Sequence, residues 1–170
     1  MRRRSTRRYT GKPVEREKLQ SVMELALRAP SSKNTRSTRL MAVTNLDKAH
    51  ALGRLRDWGS SLLEEAGAAI VVLGDPEASP MWQINAALMA NTLQLALVDQ
   101  GLASCWVHVG EYRTLQDDPE SQRSEDYVKQ VLPEIPEGYR VLAVISIGYA
   151  DYTPKPLPEY EGPERILFVE

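Results

Sequence analysis

A chain of 170 residues, 42% hydrophobic and 26% charged, has the composition of a soluble globular protein and is long enough to bury about 70% of its unfolded surface, so one domain over residues 1–170 is expected. Its net charge of -2 provides no broad basic surface for nucleic acid, and no apolar run approaches the length of a bilayer span. A single cysteine, Cys105, with only His50 and His108 beside it, excludes an intramolecular disulfide and a Cys/His metal cage. With no secretory segment after the amino-terminal arginines, the expectation is a cytoplasmic protein with no membrane and no nucleic-acid partner.

The charge is unevenly placed. Arg2, Arg3, Arg4, Arg7, Arg8 and Lys12 all precede the first acidic residue, Glu15, which makes the amino end a local cation suited to an anion. Residues 15–29 then carry Leu19, Val22, Met23, Ala26 and Leu27 at the spacing of one helix face. Pro30 ends that helix, residues 31–39 read as a polar loop, and residues 40–44 as a short strand. A second helical region is expected over 46–65, broken near Gly59, leading into a buried-type strand at 68–73.

After a turn at 75–80, residues 84–100 form an Ala- and Leu-rich helix that is apolar nearly all round, the mark of a central helix. Gly101 closes it and 103–109 is a strand. A shorter helix is expected at 121–132, the strongest strand at 139–147, and a last short strand at 165–169. Between the last two strands, residues 151–163 carry prolines at 154, 156, 158 and 163, so that stretch is extended. It reads either as a surface connection or as an arm laid across a partner.

Several nucleotide and hydrolase devices are missing. There is no G-x-G pair, no Walker loop and no Gly-x-Ser-x-Gly elbow, so side chains would have to hold any phosphate. Arg3-Arg4-Ser5-Thr6-Arg7 offers guanidinium and hydroxyl donors, each charge-assisted bond contributing about 1.5–3 kcal/mol; a solvated arm is the alternative. Ala29-Pro30-Ser31-Ser32-Lys33-Asn34 presents hydroxyls and an amide, or a capped helix end. Cys105, Trp106 and His108 lie on one strand, where core packing is the plain reading.

Taken together and in order, these pieces resemble the nitroreductase family. Arg3-Arg4-Ser5-Thr6-Arg7 with Tyr9, Pro13-Val14 and Ala29-Pro30-Ser31-Ser32 with Asn34 match its opening, and Gly101-Leu102-Ala103-Ser104-Cys105-Trp106 is similar to the end of its central helix. Pro136-Glu137-Gly138-Tyr139, the strand ending Gly148-Tyr149, and Lys155-Pro156 match its late strand and tail.

The resemblance implies an α+β, three-layer α/β/α fold with a mixed central sheet and an intertwined homodimer holding FMN at its interface. Carried onto this chain, Arg3, Arg4 and Ser5 would hold the phosphate and ribityl chain, with Lys155 adding charge there, and Arg7 would face the pyrimidine edge of the ring. Pro30, Ser31, Ser32 and Asn34 would come from the other subunit, and the backbone from Trp106 to His108 would line one ring face. The implied activity is ping-pong hydride transfer from NADH or NADPH to a small acceptor such as a nitroaromatic or quinone, with no catalytic side chain. The alternatives are a relative specialised for one metabolite, a flavin-binding or flavin-delivering protein with little turnover, and an interaction protein whose arginine arm meets an acidic partner.

Three departures from the family pattern stand out. Asn34-Thr35-Arg36-Ser37-Thr38 replaces Asn-x-Gln-Pro-Trp, Asn85 stands where an aspartate often opens the central helix, and Leu157 follows Lys155-Pro156 where an arginine is usual. Arg36 and Arg39 near a flavin edge would favour an anionic acceptor or the donor's phosphates; exposed to solvent, or paired with acidic residues such as Glu64 or Glu65, they would contribute little.

Overall fold

The computed structural model describes residues 3–156 and 165–169. Two long apolar runs set its architecture. β2 (Ala68–Gly74) is buried along its whole length and β4 (Arg140–Gly148) along all but its first residue, so both need cover on two faces. They pair at the centre of a four-stranded sheet of order β1-β2-β4-β3, with β1 (Thr38–Val43) and β3 (Ala103–His108) at the edges.

Side chains alternate between two cores. Ile70, Val72, Ile145 and Ile147 face α1 (Arg16–Ala26) and α3 (Trp82–Asp99), meeting Leu19, Val22, Leu93 and Leu97. Ala69, Val71, Leu73 and Val144 face α2 (Leu46–Ala51), two 3-10 turns and α4 (Ser124–Val131), meeting Leu52, Leu55, Leu63 and Val128. The result is the three-layer α+β arrangement. A bulge lets Val72 pair with Ala143 and Leu73 with Val141, so Leu142 and Ala143 both enter the α1/α3 core while Val141 and Val144 enter the other.

The expected elements form, with shifts at their ends. α1 stops at Ala26, and Leu27 and Arg28 close it with turn bonds to Met23 and Leu25. The 46–65 region divides: α2 ends at Ala51, followed by 3-10 turns Leu52–Arg54 and Ser61–Glu65, with Gly59 at a φ of 78° where the chain bends. α3 begins two residues before the expected start, and the amide of Leu102 bonding to Leu97 O at 2.9 Å with Gly101 left-handed ends it as anticipated.

Two expectations are corrected. The sheet is not mixed over its four strands, since every neighbouring pair is antiparallel; among the described residues, parallel pairing is confined to the isolated bridge between Ser5 and Ser104. Residues 165–169 form no strand: no ladder partner meets them among the described residues, and Leu167, Phe168 and Val169 are 85%, 87% and 99% exposed. The proline-rich stretch beyond Pro156 lies outside the described residues. Among those described, no helix is long and apolar enough to cross a membrane.

The amino-terminal arm is built into the sheet. The amide of Thr6 donates to Ser104 O at 3.1 Å, and Tyr9, buried, donates its hydroxyl to Thr6 O at 2.7 Å and bonds Ser146 Oγ at 2.6 Å. Burial pushes the Tyr9 phenol well above its ordinary pKa, so it stays neutral. Farther along, Val14 N bonds Gly67 O, and a Cβ at Gly67 would sit 2.0 Å from the carbonyl oxygen of Lys12. Gly67→Ala must therefore push the arm off the sheet. Its expected cost is about 1–3 kcal/mol, read as a lower urea midpoint at unchanged m-value; an unchanged midpoint would show that the arm is loosely held.

Candidate functional site

The arm's anchoring decides where its cations sit. With Ser5 bridged to Ser104 and Tyr9 pinned beneath, Arg3, Arg4, Ser5 and Arg7 gather along the outer edge of β3. Arg4 Nη1 donates to the carbonyl oxygen of Lys155 at 3.1 Å, which brings the expected tail lysine to the same place. Arg7 and Arg3 both act electrostatically on the Cys105 thiol, although burial dominates there and pushes the thiol up.

These cations differ from Arg8. Arg8 pairs with Asp151 at 2.9 Å, whereas Arg3, Arg4, Arg7 and Lys155 take part in no ion pair among the described residues. Several half-exposed guanidinium groups held together without a carboxylate are a donor set suited to a polyoxygen anion such as a phosphate monoester. The FMN phosphate fits that set.

Trp106 and His108 project from one face of β3 with rings stacked at 6.2 Å and 16° apart. Tyr112 meets the far side of His108 edge-on at 6.0 Å. The imidazole lies against the backbone of Gly110, where a Cβ would come within 2.4 Å of Nε2. Burial first, and then the charge of Arg56, hold the His108 pKa below its ordinary value, so the ring is neutral near pH 7.

Pro30, Ser31, Ser32 and Asn34 lie elsewhere. They precede β1, whose first residue Thr38 is at the far edge of the sheet; Leu40, Val72, Ala143 and His108 share one row across it. Three inter-strand spacings, about 14 Å, separate the two edges, so one chain does not bring this loop to the arginine arm.

The loop is conformationally strained. Lys33, Asn34 and Arg36 have φ of 51°, 55° and 49°, and a left-handed non-glycine residue costs about 1–2 kcal/mol. Asn85, buried within the first turn of α3, offsets this: its Oδ1 accepts from Ser32 N at 2.8 Å, and its Nδ2 donates to Ser37 Oγ at 2.9 Å and lies 3.3 Å from Thr35 Oγ1. Ser31 Oγ accepts from Arg36 N at 3.0 Å. In the sequence, Asn85 stands out only as a departure from the family pattern. A carboxamide on the buried face of an Ala- and Leu-rich helix must find partners, but the sequence alone does not say which.

Arg36 and Arg39 separate. Arg36 Nε donates to Asn34 Oδ1 at 3.3 Å, keeping it with the loop. Arg39 lies 4.7 Å over the Tyr139 ring, on the face of β1 opposite Leu40 and the α1/α3 core. Neither pairs with Glu64 or Glu65 among the described residues; both are exposed, as the solvent-exposed alternative expects, and the loop and the sheet pleat point them away from those acids.

The family model for the nitroreductase family matches residues 1–58 and 47–149. The chain belongs to the nitroreductase family. An FMN-dependent nitroreductase from Clostridium difficile R20291 is 32% identical in sequence, the match covering 99% of this chain and 96% of that one at a TM-score of 0.89. A structure from Parabacteroides distasonis ATCC 8503, provisionally named an NADH dehydrogenase/NAD(P)H nitroreductase, is 28% identical over 98% of this chain and 92% of its own, at a TM-score of 0.83. A protein of Archaeoglobus fulgidus given the same provisional name is 28% identical over 151 residues, 86% of this chain and 80% of that relative. The nitroreductase fold is thus present over nearly the whole length, in an oxidoreductase family.

Within that fold Asn85 is a positioning residue. Asn85→Ala strands the Ser32 amide and is expected to lower stability by about 1–3 kcal/mol and to speed hydrogen exchange at Ser32 far more than in β2. Asn85→Asp, which keeps the acceptor and loses the donor to Ser37, should fall between the two. Equal exchange at Ser32 in all three proteins would remove Asn85 from this role.

Proposed function

We propose that this nitroreductase-family chain is an FMN-dependent oxidoreductase, one domain of residues 1–170 that works as a cytoplasmic homodimer with FMN at the subunit interface. The observation that carries this reading is the cluster of Arg3, Arg4, Arg7 and Lys155 on the β3 edge with no carboxylate partner among the described residues. Bound FMN supplies the chemistry, taking hydride from NADH or NADPH and passing the electrons to a small acceptor such as a nitroaromatic or quinone in a ping-pong cycle.

The chain's own residues bind and orient. Arg3, Arg4 and Ser5 hold the phosphate and ribityl chain, with Lys155 adding charge. Arg7 lies at the pyrimidine edge, where a fixed cation favours negative charge on the ring. The Trp106 to His108 backbone covers one ring face and keeps water from it. Pro30, Ser31, Ser32 and Asn34 come from the partner subunit, and no side chain is assigned as acid, base or nucleophile.

Three features support the dimer. The arm and the loop occupy opposite sheet edges, so a site using both draws on two chains. Met81, Ile84, Leu88 and Leu95 form an exposed apolar stripe at the start of α3 and along it, and the apolar tail Ile166 to Val169 is exposed.

Purified protein is expected to be yellow and to release one FMN per chain. Arg4→Ala should weaken retention about 10-fold or more, the loss of one charge-assisted hydrogen bond. Steady-state oxidation of NADH or NADPH with an acceptor completes the test. Released FAD, or no flavin after reconstitution, would overturn the cofactor assignment; FMN with no turnover would favour a flavin carrier.

A further inference from the structure

A second group of cationic and aromatic side chains stands beside the first and is not used by the cofactor assignment. The Arg56 guanidinium lies 4.5 Å over the Tyr112 ring and 5.5 Å from the ring of Trp58. Tyr112 touches His108, which stacks on Trp106. These side chains run as one column from Arg56 to the strand assigned to the ring face.

Arg56 is short of partners. It forms no ion pair among the described residues, its Nε is buried with no hydrogen bond, and Nη2 has only a long contact of 3.5 Å to Gly59 O. A buried N–H left unpaired costs about 1–3 kcal/mol. Stacking leaves the in-plane donors of a guanidinium free. The adjacent acid forms no ion pair with it; Asp57 Oδ2 instead accepts from the backbone amide of Gln116 at 3.1 Å.

The surroundings are rigid. Arg56 N donates to Ser60 Oγ at 3.2 Å, Ser124 Oγ donates to Leu55 O at 2.7 Å, and Ser124 N donates to Tyr112 O at 2.9 Å. These bonds tie the 52–60 turn to the loop that follows β3. Trp58 presents an exposed indole beside the guanidinium. With His108 held neutral by burial and by Arg56 itself, Arg56 is the cation of this group.

We propose that Arg56 is a specificity-determining residue, binding the anionic oxygens of a planar substrate whose ring is held by Trp58 and Tyr112. The preferred acceptor is then a carboxylated aromatic. The pyrophosphate of the nicotinamide donor presents the same chemistry from the other half-reaction. The proposal rests on the flavoenzyme reading above, and it moves anion recognition away from Arg36 and Arg39, the arginines the sequence pointed to.

The test titrates the purified protein with para-nitrobenzoate and with the uncharged para-nitrobenzamide, following tryptophan quenching and calorimetry, in wild type, Arg56→Gln and Arg56→Lys. Arg56→Gln is expected to weaken para-nitrobenzoate binding about 10-fold or more, the loss of a charge-assisted contact, and to leave the amide within about twofold; Arg56→Lys should recover part of the loss. In turnover, KM for the carboxylate rises while kcat holds. A rise in KM confined to NADH, absent with N-benzyl-dihydronicotinamide, assigns the anion to the donor's pyrophosphate.

Unchanged affinity for every anion, or equal losses for acid and amide, would overturn the proposal. If Arg56→Gln does not fold, Arg56→Lys decides alone: a wild-type preference for the acid over the amide contradicts it, and a reduced preference supports it. Flavin content measured on the same samples keeps the two readings apart, because a flavin-free protein defeats the flavoenzyme assignment whatever Arg56 does.

Discussion

The order β1-β2-β4-β3 places the two edges of the sheet as far apart as four strands allow, and the rest of the site depends on that separation. The arginine arm docks on the β3 edge through the Ser5–Ser104 bridge, while the polar loop enters the β1 edge at Thr38. Each edge has a half-site that is complete in its own contacts. In the proposed dimer a second copy supplies what each edge lacks, and the uncovered apolar stripe of α3 gives the two copies a reason to associate.

Both half-sites are held by buried polar groups with full sets of partners. Tyr9 ties the arm to the neighbouring strands through Thr6 and Ser146, and Asn85 ties the loop to α3 through Ser32 and Ser37. Such groups are costly when unpaired and rigidifying when satisfied. They spend stability on geometry: three left-handed non-glycine residues persist in the loop because Asn85 leaves the backbone no cheaper arrangement. Arg3, Arg4 and Arg7 of the arm, by contrast, have no carboxylate partner among the described residues, which is what a site awaiting an anion requires.

Much of this was legible in the sequence. Unbroken apolar runs gave the two central strands, all-round apolarity gave α3 and Gly101 marked its end, because those signals are local; Pro30 falls in the turn after α1, which stops at Ala26. The position of Asn85 was visible, but not its four-residue network, since hydrogen bonds between a helix and a loop fifty residues earlier have no local signature. The strand expected at residues 165–169 failed for a related reason: β-propensity supplies no ladder partner. Arg36 and Arg39 looked alike in sequence, but a left-handed turn keeps Arg36 with the loop while the pleat of β1 sends Arg39 to Tyr139. Arg56 drew no notice, because a lone arginine before Trp58 says nothing about the Tyr112 ring fifty-six residues on.

The central claim, a site divided between two chains, is tested most directly by mixed dimers. A chain carrying Arg3→Ala and Arg4→Ala has a damaged arm and an intact loop, and a chain carrying Asn85→Ala has the reverse. Differently tagged copies are co-expressed, and the mixed dimer is purified through both tags before its flavin is counted. A divided site predicts one FMN per mixed dimer, because one interface site receives both intact halves, while each variant homodimer retains little. If the whole site lay within one chain, every site in the mixed dimer would carry a defect, and a mixed dimer as flavin-poor as the homodimers would contradict the account.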